Sequence, residues 1–339
     1  MAQRYDARGN IYIVVAPEEL RRQGIDLPDQ ASHAAQTCQA WAVAAIEACC
    51  NWAPGTQPAG SKDHRSDGLL VGPFQSSPPF DLLIVNTDGT LAERSGNGLT
   101  IFSQALSDQG LLPGDEACLL RVHHDKSDTP SPGQTSVKTA EVEGVQGFWL
   151  DLGQPGFGPP AVSAEGVETA LLNGRELSHV KPLSALNGAW SRSQFARVGN
   201  PHCVTLVENA DDLPSNEQMR EPALGDGLMR IAYAMPVGAG KPCTAGINLQ
   251  WATRLSEGHI AARVFERGEG PTASSGTSAS AVACAAWRVG WVSAGEVKVT
   301  MPGGTAPILL EDERGELSCL LYTSPSPRDI SGSRMPSSA

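Results

Sequence analysis

Two short stretches hold residues whose types and spacing could do chemistry. One is Glu93-Arg-Ser-Gly-Asn-Gly98, and the other runs from Glu266-Arg-Gly-Glu-Gly270 to Ser274-Ser-Gly-Thr-Ser278. Each carries a Ser-Gly pair, Ser95-Gly96 and Ser275-Gly276, and each leads into an apolar helical pattern, Leu99 to Leu106 and Ala279 to Trp287. A Gly-rich turn that opens a helix leaves backbone N–H groups unpaired, with the positive end of the helix dipole behind them. Such an end binds anions. Two of them in one chain predict a carboxylate gripped from both sides, with Ser95 and Ser275 flanking the bound molecule, one on each face.

The chemistry open to such a grip is proton transfer beside a carboxylate. That proton is very weakly acidic, so its removal requires fixed donors for the charge that builds on the carboxylate. The base belongs on one face of the carbon and the acid on the other.

At these residues the chain resembles the diaminopimelate epimerase family, cofactor-independent enzymes that invert a carbon next to a carboxylate. The resemblance runs almost end to end. Arg8-Gly-Asn10, Ser66-Asp-Gly-Leu69, Asn86-Thr-Asp-Gly89, Asp151-Leu-Gly-Gln-Pro155, Val198-Gly-Asn-Pro-His202 and Gly246-Ile-Asn248 stand in the family's order before Glu266-Arg267. The resemblance implies oxyanion donors at the amides of Gly96, Asn97, Gly276 and Thr277. It implies that Asn10, Asn86, Asn200, Asn248, Glu266 and Arg267 hold the amino group and far end of a diamino diacid, Arg267 being suited to a bidentate carboxylate contact. His202 and Glu266 are the titratable groups that the matching motifs bring to the site, where either could assist a serine. Asp67, Asp88 and Glu93 are expected to hold loops. Cys203 sits at a position that is apolar and structural in the family.

The chain departs from the family at the two positions that matter most. The family carries a Cys before each Gly as a two-base pair, and here both are Ser. A helix N-terminus can poise a thiol as thiolate. An alcohol is a weak base unless a neighbour takes its proton. The alternative is that Ser95 and Ser275 only cap their helices, which Ser does well. Three functions follow: an amino-acid epimerase or racemase with serines in the base positions, a one-base isomerase of a related small acid using His202 or Glu266, or a binding protein that keeps the pocket without the chemistry.

The elements that must position these residues read as two α/β halves. Asn10 to Val15, Gly68 to Val71 and Phe80 to Val85 are β-rich runs, with a helical stretch around Ala34 to Cys50 and a long loop from Ala53 to Ser61 between them. The turn-rich segment 125–134, with Pro130, Pro132 and Gly133, is the expected boundary, giving halves 1–125 and 126–318. Val137 to Leu152 reads as a hairpin and Glu296 to Met301 as an alternating strand. The matching Ser-Gly helix starts suggest an internal repeat. The resemblance implies an α/β fold of two pseudo-symmetric halves, each a curled mixed sheet around a central helix, with Ser95 and Ser275 facing each other across a cleft.

The end of the chain reads differently. Cys319 to Asp329 resembles the translation of a transposase-type sequencing adapter, and Ser333 to Ala339 that of its other arm. Residues 319–339 are therefore expected to be a non-native tail that makes no core strand and leaves an exposed edge on the first half. The natural chain is expected to continue past Ser318.

Composition narrows the class. The chain has 339 residues, long enough for two cores, and a formal net charge of −12. That charge argues against nucleic-acid and anionic-membrane partners. No long uncharged apolar run and no signal-peptide pattern are present. Of eight cysteines, none shows metal spacing or a C-x-x-C pair, so they read as reduced thiols in a cytoplasmic protein. No cofactor and no metal are expected. The partner is a small amino acid or dicarboxylate, and the resemblance allows a homodimer.

Overall fold

The computed structural model describes the chain except residues 1, 8, 9, 113, 115, 127–129, 143, 324, 325 and 328–339. It divides into unit 1, Met1–Leu150 with Thr323–Ala339, and unit 2, Asp151–Tyr322. No helix of the described residues is long and apolar enough to cross a membrane.

Unit 1 opens with β1 (Gln3–Ala7) and β2 (Asn10–Val15), followed by α1 (Pro17–Arg22), α2 (Ala31–Gln36) and α3 (Cys38–Cys50). Then come β3 (Gly68–Val71), β4 (Phe80–Asn86), β5 (Leu91–Ala92), α4 (Gly96–Asp108), β6 (Cys118–Val122), β7 (Gly133–Val142) and β8 (Val145–Asp151). β1 pairs antiparallel with β2, β2 parallel with β3, and β3 antiparallel with β4. β4 carries β5 antiparallel at one end and β6 parallel at the other, and β6, β7 and β8 run on as a meander. Alternation along β2 sorts the two faces. Ile13 and Val15 pack with Leu69, Val71, Leu83 and Val85 under α1–α3, around Trp41, Ala42 and Ile46. Tyr12 and Val14 point to the other face.

Unit 2 begins with β9 (Gly156–Phe157), β10 (Glu168–Leu172), β11 (Arg175–His179) and α5 (Lys181–Leu186). β12 (Ser193–Val198), β13 (Asn200–Leu206), α6 (Asn216–Arg220), α7 (Pro222–Ala232), β14 (Asn248–Ser256), β15 (His259–Glu266), β16 (Gly270–Thr272), α8 (Gly276–Arg288), β17 (Gly295–Met301), β18 (Gly304–Glu313) and β19 (Glu316–Thr323) complete it. From β12 to β19 the pairings repeat those of β1 to β8. They run antiparallel, parallel, antiparallel, a short antiparallel strand, a parallel crossover, then a meander. The internal repeat suggested by the two Ser-Gly starts is thus present in the topology.

The centre of each repeat is a helix with almost no exposed face. In α8 every residue from Ser278 to Ala286 is buried, and in α4 every residue from Gly98 to Ser103. α8 touches β12, β13, β14, β15, β17 and β18. A helix buried all round needs small or apolar side chains on every side, which is what Ala279-Ser-Ala-Val-Ala-Cys-Ala-Ala286 supplies. Both helices stop alike. Gly110 and Gly290 take left-handed φ of 68° and 76°. Leu111 N–H then bonds back to Leu106 O at 2.9 Å, and Trp291 N–H to Ala286 O at 2.8 Å.

Two expectations are corrected. The division falls after Leu150, not at 125/126. The Pro- and Gly-rich segment is the connection between β6 and β7, which pair from Cys118↔Val137 to Val122↔Gly133. A long hairpin connection and a linker carry the same turn residues, and only the pairing tells them apart. The tail from Cys319 is the second correction, because it does form strand. β19 pairs with β18 in the register Leu310↔Cys319 and Ile308↔Leu321, and Cys319 and Leu321 are 0% and 2% exposed. Ser326 and Pro327 bridge to Asp6 and Tyr5 of β1. Leu317, Cys319 and Leu321 alternate with Ser318 and Leu320, and an unpaired sheet edge accepts an extended segment of that pattern. The second adapter-like arm, residues 333–339, lies outside the described residues.

Leu321→Ala is expected to destabilise the protein by about 2–5 kcal/mol, the usual cost of emptying a buried leucine site. Urea denaturation of the full chain reads this. A change below about 0.5 kcal/mol would mean that β19 adds nothing to the core.

Candidate active site

The start of α4 is built by β2, β3 and the turn after β5. Ser95 is the N-cap in extended conformation, and its Oγ accepts the Gly98 N–H at 3.0 Å. The amides of Gly96 and Asn97 have no intrahelical acceptor, as the first turn of any helix requires. Ser95 Oγ also lies 3.2 Å from the Tyr12 hydroxyl. Gly68 lets the Tyr12 ring lie there, since a Cβ at this position would come within 2.7 Å of the ring and 2.8 Å of Val85 O. Burial raises the Tyr12 pKa and the Asp67 charge adds to this, while the bond to Ser95 opposes it. Tyr12 therefore keeps its proton and serves Ser95 as a neutral O–H partner.

The start of α8 repeats the frame with different chemistry. Ser275 is the N-cap, and its Oγ accepts the Ser278 N–H at 3.4 Å. The Glu266 carboxylate at the end of β15 lies close enough for the Ser275 hydroxyl to favour its charged form. Burial raises the Glu266 pKa and Glu269 adds to it, with the Ser275 hydroxyl acting against them. A carboxylate accepting from a serine hydroxyl is the arrangement that activates an alcohol. Behind Ser275 runs a buried chain: Gln250 Nε2 donates to Ser278 Oγ and to His202 Nδ1, each at 3.0 Å. His202 is 0% exposed. Burial lowers its pKa to about 3, helped by the Arg267 and Arg197 charges and opposed by the Val198 carbonyl and Gln250. The imidazole is neutral, with Nδ1 accepting and the proton on Nε2.

Register relates the two frames. The parallel pairs place Tyr12 opposite Gly68 and His202 opposite Asn248. Tyr12 and His202 are therefore equivalent, Asn10 and Asn200 open the equivalent strands, and Asn86 and Glu266 close theirs. Sequence reasoning expected Ser95, Gly96, Asn97, Ser275, Gly276, Thr277, Glu266 and His202 around one bound molecule. Within unit 1 the structure groups the first three at the α4 start, and within unit 2 it groups the other five around the α8 start. Sequence reasoning missed Tyr12, Gln250 and Ser278. The signal for Tyr12 was its position two residues after Asn10, on the same face of β2.

The remaining sequence-derived residues have internal partners. Asn248, 4% exposed, accepts the Arg267 N–H through Oδ1 at 2.9 Å, and Arg267 Nη1 donates to Ala245 O at 3.2 Å. Together these fix the turn that carries Glu266. Asn86 Nδ2 donates to Thr90 Oγ1 at 3.0 Å. Asn10 is half-buried and Asn200 exposed, and Arg8-Gly9 lie outside the described residues. Asp67 accepts the Ile11 N–H at 2.7 Å and Asp88 the Thr90 N–H at 2.9 Å, the loop-holding roles expected of them. Glu93 is exposed. Cys203 is wholly buried, and burial pushes its thiol up to about 12. It is a packing residue.

This doubled sheet, with a Ser-Gly start on each central helix, defines a known fold class. The chain resembles a phenazine biosynthesis protein of the PhzF family from Bacillus anthracis at a TM-score of 0.53 and 12% identity, covering 97% of this chain and 96% of that one. A probable proline racemase from Agrobacterium radiobacter gives a TM-score of 0.52 at 12% identity, covering 98% and 92%. Those likenesses establish the fold. The sequence comparisons are narrower. Residues 194–325 match the family described as diaminopimelate epimerase. Diaminopimelate epimerase 2 of Nostoc sp. is 31% identical over 250 residues, covering 73% of this chain and 75% of the relative. The Rhodococcus opacus diaminopimelate epimerase is 29% identical over 234 residues, covering 68% and 66%. The chain belongs to the diaminopimelate epimerase family.

The state of His202 can be measured. Its folded pKa lies below its unfolded value, so its contribution to stability is complete above about pH 6.5 and is lost as pH falls toward about 3. Imidazole 15N shifts should show it neutral, as the Nε2–H tautomer, from pH 8 to pH 5. In His202→Gln the slope of stability against pH across that acid window should fall by up to about 1.4 kcal/mol per pH unit. A midpoint for His202 near the ordinary histidine value would overturn the assignment.

Proposed function

We propose that the protein is an amino-acid epimerase or racemase acting by proton transfer at the carbon next to a carboxylate, with serines in place of the family's thiols. The observation that carries this reading is the pair of serine-capped buried helices, where Ser95 Oγ accepts the Gly98 N–H and Ser275 Oγ the Ser278 N–H, with Glu266 beside the second. Its relatives are named for diaminopimelate, so a diamino diacid is the first substrate to try and lysine biosynthesis the role to test. The reading requires no cofactor and is consistent with a cytoplasmic protein.

The steps assigned to this chain's residues are these. Backbone amides at Gly276 and Thr277 hold the substrate carboxylate and stabilise the charge that grows on it. Ser275 Oγ takes the α-proton as its own hydroxyl proton passes to Glu266. The C–H electron pair moves into the carboxylate-conjugated system. Inversion then needs a proton delivered to the opposite face, the role the family pattern gives to the Ser95 hydroxyl, which regains its proton from solvent while Tyr12 stays a neutral partner. His202 and Gln250 position Ser278 and, through it, the α8 cap.

A second reading rests on the raised Glu266 pKa. A carboxylate lifted toward neutrality is a competent base by itself, and a single base gives exchange or isomerisation without inversion.

The test is solvent deuterium exchange at the α-carbon, run on diaminopimelate isomers and a panel of amino acids and small dicarboxylates, with inversion followed by chiral chromatography. Glu266→Gln should lower exchange by at least about 100-fold, the range of a positioned general base. Ser95→Cys with Ser275→Cys should raise exchange and inversion by at least about tenfold, because each unit of nucleophile pKa is worth about 1.4 kcal/mol. If the double variant binds diaminopimelate yet exchanges no faster than the parent, the serines are not substituted bases. Exchange without inversion in the parent would favour the one-base reading, and no exchange with retained binding a ligand-binding protein.

A further inference from the structure

The other end of α8 opens on a cleft that the chemistry above does not use. It lies within unit 2 and encloses about 330 Å³, at the lower end of small-ligand pockets. β9, the β10–β11 hairpin, β12 and the last residue of α8 line it, through Phe157, Glu176, Ser178, Gln194 and Arg288. The 13-residue helix puts Arg288 roughly 20 Å from the Ser275 cap at 1.5 Å per residue.

Three polar groups in this cleft lack partners. The Arg288 guanidinium lies over the Phe157 ring, 5.4 Å from its centroid, and makes no ion pair or hydrogen bond among the described residues. Glu176 makes none either. The other carboxylate there, Glu168, is already paired with Lys181 Nζ at 2.6 Å. Gln194 is 4% exposed. Its Nε2 donates to Phe195 O at 2.8 Å, and its Oε1 is buried without a donor. A buried acceptor left unpaired costs about 1–3 kcal/mol. Surface packing accounts for an arginine stacked on a phenylalanine and solvation for a free glutamate. Neither accounts for the Gln194 oxygen.

One cation, one anion and one neutral acceptor gather beside an aromatic ring. A ligand with a single charge would leave the opposite partner unmatched, while a zwitterion matches both. We propose that this cleft binds a free α-amino acid, its carboxylate on Arg288, its ammonium on Gln194 Oε1 and Glu176, and its side chain against Phe157.

Isothermal titration of the full chain with L-leucine, L-lysine and L-phenylalanine tests it, with N-acetyl-L-leucine and L-leucine methyl ester as probes lacking one charge. Saturable binding at one site is expected, weakened at least about tenfold by removing either ligand charge. Arg288→Met and Gln194→Met should each weaken it at least about fivefold, while Gln194→Met raises the melting temperature because the orphan oxygen is gone. Arg267→Ala, in the turn after β15, should leave it unchanged. Lack of binding by every zwitterion up to about 10 mM, a range where even contacts of a few kcal/mol register, would overturn the proposal. So would binding lost in Arg267→Ala but retained in Arg288→Met. These outcomes do not depend on whether the protein turns over any substrate.

Discussion

The constraint on which the rest depends is a helix buried on all sides, made twice. α4 and α8 have sheet around them and cannot hide polar groups at a wet face. Their buried hydroxyls turn back onto the helix: Thr100 donates to Gly96 O at 2.6 Å, Ser103 to Leu99 O at 2.8 Å and Ser280 to Gly276 O at 2.9 Å. Their first-turn amides have no such recourse. A serine cap satisfies one N–H of each turn, and the rest point outward from an end where low dielectric leaves the dipole poorly screened. The free amides at these ends are a consequence of burying the helix, and they are what an anion would meet there.

On that shared frame the two repeats carry different acid–base partners. The end of β4 holds Asn86 where the end of β15 holds Glu266. The third position of β2 holds Tyr12 where β13 holds His202. Ser95 therefore faces a phenol that burial keeps protonated, and Ser275 a carboxylate that burial pulls toward neutrality. Of the two, the carboxylate is the group suited to accept a proton and the phenol the one suited to keep its own. The asymmetry comes from single residues at equivalent register positions, so a conserved topology need not imply two equivalent bases.

Much of this was legible in the sequence because the signals were local. Ser-Gly before an apolar run marks a capped helix start whatever surrounds it, and both starts lie where expected. Strands β2, β3, β4 and β17 follow from β-rich or alternating runs. The failures were non-local. The segment 125–134 has the residues of a linker, and only the β6–β7 pairing shows otherwise. Tyr12 looked like one more strand residue, since its partnership with Ser95 spans 83 positions. His202 was read as a group that could assist a serine, yet it is wholly buried and reaches the α8 cap only through Gln250 and Ser278.

The strand that closes unit 2 shows how little a sheet edge asks of a sequence. β18 presents Ile308 and Leu310 inward, and any extended segment with apolar residues at alternate positions can continue that face. Leu317, Cys319 and Leu321 meet the requirement. Strand formation there reports the pattern rather than where the segment came from. The consequence reaches the α8 start, because Leu321 packs directly over Gly276, with Cδ2 only 2.5 Å from where a Cβ would sit. The first free amide of the helix is thus shaped by the last regular strand of the unit. Whatever residue occupies position 321 helps decide how closely a carboxylate can approach that amide.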